Sequence, residues 1–180
     1  PLTAGSATQT RRRTTNVTIP DQTAPTVVNC VGVPIRAVSR REAAATVVQA
    51  ALDGASGGAD VHLCNAYTLA LADQDRRFHR LLCDAAINFP DGQAVVWANR
   101  LTYRELDLPS ERVYGPDLFL DVFDQGQAAG LRHYLLGSTP EVLAALTAAL
   151  QQRFPHAQIA GTESPPFREL SADELDEQVS

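Results

Sequence analysis

The chain has 180 residues, 44% of them hydrophobic and 20% charged, with a formal net charge of −6. These values describe one globular domain with a sizeable core. The acidic balance argues against nucleic acid as a partner, since phosphate-binding domains carry a basic excess, and no apolar run approaches the ~20 residues of a membrane-crossing helix.

Residues 1–25 are rich in Thr, Ser, Arg, Gln and Pro and are read as a disordered tail, too poor in apolar surface to offset the entropy of ordering. Arg11, Arg12 and Arg13 are not followed by an apolar stretch, so no secretory leader is expected. Cys30, Cys64 and Cys83 are odd in number and widely spaced, which reads as reduced thiols of a cytoplasmic protein, not a disulfide frame or zinc site. His62, His79, His133 and His156 are dispersed, none at metal-ligand spacing, and neither metal nor cofactor is expected.

From residue 26 onward, short β-type runs alternate with helical ones. Val27 to Val31 reads as a strand, and Ser39-Arg40-Arg41-Glu42 as a capping box opening a helix. Val61-His62-Leu63-Cys64 is a strand entering Asn65, followed by helical runs around Thr68–Ala72 and Arg76–Ala86, the latter carrying a surface His79. Ile87-Asn88-Phe89 is a strand that stops at Pro90-Asp91-Gly92, and the helix from Gln93 is expected to bury the single Trp97. Arg112-Val113-Tyr114-Gly115-Pro116-Asp117 opens another helix. Arg132 to Leu136 is a strand, Gly137-Ser138-Thr139 a tight loop, and Pro140 to Phe154 a helix with a possible Ser138–Glu141 capping box. Gln158-Ile159-Ala160 is the next strand, and Ser171-Ala172-Asp173-Glu174 starts a helix that the chain does not complete. This order predicts an α/β fold, a Rossmann-like, mainly parallel sheet flanked by helices and truncated at the C-terminus.

Ligands of open α/β sheets bind beyond the carboxyl ends of the strands. Asp91 in such a place can act as a general base; an aspartate before a helix is also a common N-cap, and on spacing alone that is the commoner outcome. Asn65 carries the same pair of readings, ligand donor or cap. Gly137 and Ser138 could offer backbone N–H groups to a phosphate. Arg112 could pair with a diphosphate or be a solvated charge.

Taken in order, Val31-Gly32-Val33-Pro34-Ile35, Asn65-Ala66, Asp75-Arg76-Arg77-Phe78, Phe89-Pro90-Asp91-Gly92, Arg112-Val113-Tyr114-Gly115-Pro116-Asp117 and Leu135-Leu136-Gly137-Ser138 resemble the WecG/TagA/CpsF family of bacterial glycosyltransferases. The resemblance runs from about residue 27 to the end; Pro-Asp-Gly followed some twenty positions later by Arg-Val-x-Gly-x-Asp is its specific part. It implies that residues 26–180 are a catalytic domain, incomplete because the family pattern continues beyond it. The implied reaction is inverting transfer of a sugar, often N-acetylmannosamine, from a UDP-sugar to a polyprenyl-diphosphate-linked acceptor, without an obligatory metal, in teichoic acid or exopolysaccharide synthesis. Asp91 would be the base, Asn65 would line the pocket, Arg112 would contact the diphosphate, and Gly137 and Ser138 would lie on the nucleotide side. The enzyme would be cytoplasmic and peripheral at the inner face of the membrane, held there by a C-terminal part not present in this sequence. Leu63 departs from the family, which usually has Thr two residues before the asparagine. The alternative left open is a non-catalytic nucleotide-sugar-binding α/β module.

Overall fold

A computed structural model of the chain describes residues 26–54, 58–168 and 171. The expected tail, 1–25, and the expected helix beyond Ser171 lie outside the described residues.

β1 (Val27–Cys30) and β2 (Val33–Arg36) form an antiparallel hairpin. The expected strand through Val31 is therefore shorter, because the chain reverses at Val31 and Gly32. Both have positive φ, 53° and 83°, the pattern of a two-residue type I′ turn, and the Gly32 N–H donates to Asn29 Oδ1 at 2.8 Å.

α1 (Arg40–Leu52) opens on the expected capping box, with Ser39 and Glu42 bonded reciprocally. β3 (Val61–Cys64), α2 (Ala66–Gln74), α3 (Arg76–Asp84) and β4 (Ile87–Pro90) follow, with β3 and β4 parallel and Cys64 opposite Pro90. After α4 (Gln93–Thr102) and α5 (Gly115–Ala128), β5 (Arg132–Leu136) pairs in parallel with β6 (Gln158–Glu163) around α6 (Pro140–Arg153). The fold is thus α/β and Rossmann-like, its strands arranged as two parallel pairs and one hairpin.

The side-chain alternation of the strands divides the core between two helical layers. Cys30, Val33 and Cys64 face Leu69 and Ala72 of α2, Leu82 of α3 and Val95 of α4. Ile87 and Phe89 face Ala43 and Ala44 of α1 and Leu118 of α5. Further along α5, Phe123 joins Leu135, Leu143, Leu150 and Phe154, so this helix runs from one part of the core into the next. Buried Asn88 ties the elements together: its Nδ2 donates to the Pro34 carbonyl of β2 at 3.1 Å and the Leu82 carbonyl of α3 at 2.7 Å.

Two sequence expectations are corrected here. Trp97 is 66% exposed, because α4 buries Val95, Val96 and Asn99 and position 97 points away from that stripe. His79 is half-buried beneath the hairpin turn, with its Nδ1 3.5 Å from Cys83 Sγ. Among the described residues, no helix is long and apolar enough to cross a membrane.

Candidate functional site

The site grows from one peptide unit at the carboxyl end of β4. The Asp91 N–H donates to the Cys64 carbonyl at 2.9 Å, extending the ladder with β3 by one residue. The Pro90 carbonyl, on the other side of the same trans peptide, accepts the Val113 N–H at 2.9 Å. A trans peptide aims its N–H and C=O in opposite directions. Asp91 is consequently fixed between two chain segments, the one that continues into Asn65 and the one that carries Arg112.

The helix-cap reading of Asp91 does not hold. Gly92 occupies the N-cap of α4, at φ 121°, and no side chain caps that helix. The Asp91 carboxylate makes no hydrogen bond or ion pair among the described residues, and the residue is half-buried. Glycine at position 92 answers to its backbone, since φ 121° strains any other residue, and the site packs closely enough that a Cβ there would be in ordinary contact with Asn65, 3.6 Å from its Cβ.

Asn65 is a cap and more than a cap. Its Oδ1 accepts the Thr68 N–H at 3.0 Å and the Thr68 hydroxyl at 3.2 Å, starting α2. The Nδ2 group has no partner among the described residues, so Asn65 offers donors at the strand exit next to Asp91. Cys64, just before it, is no nucleophile: burial first, with Cys30 and Asp91 nearby, pushes its thiol up to about 11.

Arg112 is exposed, and its guanidinium lies 4.4 Å from the centre of the Tyr114 ring. It is in no ion pair among the described residues, so its charge is free for an anion. Behind it, Gly115 lets α5 begin close to β3, where a Cβ would lie 2.9 Å from Leu63 Cδ1. Leu63 packs against the core around Phe89 and Val113.

Gly137 and Ser138 lie at the exit of β5, in the other parallel pair, and no hydrogen bond among the described residues joins them to Asn65, Asp91 or Arg112. The Gly137 N–H is occupied by the Glu163 carbonyl at 2.9 Å, and the Ser138 carbonyl accepts from the Ser164 hydroxyl at 2.6 Å. A phosphate there would meet N–H groups only from Ser138 onward. The expected Ser138–Glu141 box is replaced by Thr139, which caps α6 by accepting from the Val142 N–H.

Among the described residues, no three His, Cys, Asp or Glu side chains gather as a metal site. A cavity of about 840 Å3 lies by the amino end of β4, between Arg36, Glu42, Gln49, Ala86 and Ile87, and Asp91 does not line it. The sequence reading missed Thr68 and Tyr114, which orient Asn65 and Arg112. Their signals were local, a threonine three residues after a capping asparagine and an aromatic two residues after the arginine.

Among the described residues the Asp91 carboxylate thus stands without a partner at a strand exit, the place where α/β domains bind ligands, with Asn65 and the segment bearing Arg112 on the two sides of its peptide. A family model described as the Glycosyl transferase WecG/TagA/CpsF family matches residues 28–180, and the chain belongs to that family of glycosyltransferases.

Proposed function

We propose that this protein is an inverting glycosyltransferase that moves a sugar, specifically N-acetylmannosamine, from a UDP-sugar to a polyprenyl-diphosphate-linked acceptor. The observation that supports the reading is the Pro90–Asp91 peptide, hydrogen-bonded on one side to Cys64, which leads into Asn65, and on the other to Val113, which follows Arg112, while the Asp91 carboxylate has no partner among the described residues. In the proposed step, Asp91 takes the proton of the acceptor hydroxyl as that oxygen bonds to the anomeric carbon. The bond from this carbon to the UDP oxygen breaks on the opposite face, inverting the centre. Arg112 meets the negative charge that develops on the diphosphate, Asn65 donates to the sugar or its phosphate, and the turn at Gly137 and Ser138 lies on the nucleotide side. The lipid-linked acceptor places the reaction at the inner face of the cell membrane, in the synthesis of a surface polysaccharide or teichoic acid.

The test follows UDP release from UDP-N-acetylmannosamine in the presence of a polyprenyl-diphosphate-GlcNAc acceptor. Asp91→Asn is expected to lower the rate by ~10²–10⁴. The same change should leave urea unfolding unaltered, because no described partner of the carboxylate is lost. A variant as fast as the parent removes Asp91 as the base; no UDP release by the parent removes this donor and acceptor pair.

A further inference from the structure

We infer that Gln93 is a positioning residue that holds Arg112 at its working distance from Asp91, an inference that rests on Arg112 as the diphosphate contact. Residues 103–114 form a strap between α4 and α5, with Arg112 near its end. The strap is tied down along its length. The Tyr103 hydroxyl bonds the Asn29 backbone at 2.9 and 3.2 Å, and the Arg100 guanidinium donates to the Leu108 carbonyl. Glu111 accepts the Arg40 N–H at 3.3 Å, and Val113 donates to Pro90.

A second tie, made by a side chain, joins the same two segments as the Val113–Pro90 bond. Gln93, the first residue of α4 and two residues after Asp91, donates from Nε2 to the Ser110 carbonyl at 3.0 Å, two residues before Arg112. A single side chain therefore spans the two halves of the site. Neither charged residue is held by an ion pair among the described residues; Arg112 leans only on Tyr114. Without the Gln93 tie, the hydrogen bonds among the described residues that hold the strap around Arg112 are the 3.3 Å Glu111 contact and the bond of Val113, next to Arg112, to Pro90. The Ser110 carbonyl can only accept, so position 93 must supply a donor. That requirement separates its conservative variants by chemistry.

The experiment measures UDP affinity by calorimetry for the full chain and for Gln93→Ala, Gln93→Glu, Gln93→Lys, Arg112→Ala and the Gln93→Ala/Arg112→Ala double variant. One hydrogen bond in this setting corresponds to a change on the order of three- to ten-fold. Gln93→Ala and Gln93→Glu should weaken UDP binding by that factor, Gln93→Lys should restore it, and Gln93→Ala should add nothing once Arg112 is gone. Exchange of the Val113 amide should quicken in Gln93→Ala without any ligand present. Parent-like UDP affinity in Gln93→Glu, or additive losses in the double variant, would overturn the role of Gln93 alone. Parent-like affinity in Arg112→Ala would instead overturn the diphosphate reading of Arg112 and this inference with it.

Discussion

Thr68 holds the side-chain amide of Asn65 in one orientation, its N–H and hydroxyl both reaching Oδ1, at 3.0 and 3.2 Å. A backbone N–H can bond only the oxygen of an amide, so the NH2 group is the part left for a ligand. Capping and the proposed ligand contact would therefore fall to different atoms of one residue, and substitution can part them. Asn65→Asp keeps the cap, since aspartate caps as well as asparagine, and stability should stay within about 0.5 kcal/mol. It loses both donors and sets a second carboxylate beside Asp91, so turnover should fall by about ten-fold or more. Asn65→Ala should lose the activity and about 1 kcal/mol of stability together. Urea unfolding paired with initial rates checks this; an active Asn65→Asp enzyme would leave Asn65 a cap only.

Asn88 is the polar knot of the sheet, and its removal should be costly. Its Nδ2 satisfies the carbonyls of Pro34 and Leu82, and its Oδ1 accepts from the Cys64 thiol at 3.7 Å. Asn88→Leu leaves a buried carbonyl, that of Leu82, and a part-buried one, that of Pro34, without this donor, a loss of about 1–3 kcal/mol. The urea midpoint should drop accordingly. A midpoint equal to the parent's would mean that water replaces both bonds.

His133 should make stability fall in mild acid. Its ring stacks on Phe123, with centroids 3.8 Å apart and planes at 14°, and its Nε2 is buried without a partner among the described residues. Burial holds its pKa below the ordinary 6.5. The folded state thus resists protonation more than the unfolded chain does. The contribution is present in full above the unfolded value and is lost as pH falls from there through the folded one. His133→Phe keeps the stack and removes the titration. Unfolding measured near neutrality and at about pH 5 should show a smaller acid-induced loss in the variant than in the parent.

Val31 carries strain that a simple change should relieve. A β-branched residue at φ 53° is an unfavourable occupant of the first central position of a type I′ turn. Asparagine suits that position, and the exposed Val31 side chain forfeits little burial on replacement. Val31→Asn should raise stability by about 0.5–1 kcal/mol, read as a shift of the urea midpoint at unchanged slope.

Much of this architecture is written in local pattern. The Ser39–Glu42 box fixes the start of α1, Asn65 starts α2, and the short run Ile87-Asn88-Phe89 forms a strand buried on both faces, as parallel strands covered by helices are. The hairpin at Val31 and Gly32 was not legible, because valine disfavours the turn that the pairing of β1 with β2 imposes. Trp97 was misread because a helix with apolar residues at 95, 96 and 97 does not announce which of them faces its neighbours. Thr139, not Ser138, became the cap of α6 for a reason of the same kind: two adjacent hydroxyl residues offer the same chemistry, and the turn at Gly137 and Ser138 chooses between them.

For the site, the sequence by itself determined the residue types and their order: an aspartate after a buried strand, an asparagine after the preceding one, and an arginine before a helix. It left open whether Asp91 was a cap. The tertiary structure decided that by placing Gly92 at the N-cap and bonding the Pro90–Asp91 peptide on both sides, to Cys64 and to Val113. The physical reason is that a turn has only local partners to display, whereas a strand exit is defined by its neighbours. Residues 64, 91 and 113 meet only when β3 and β4 lie side by side and α5 begins against them.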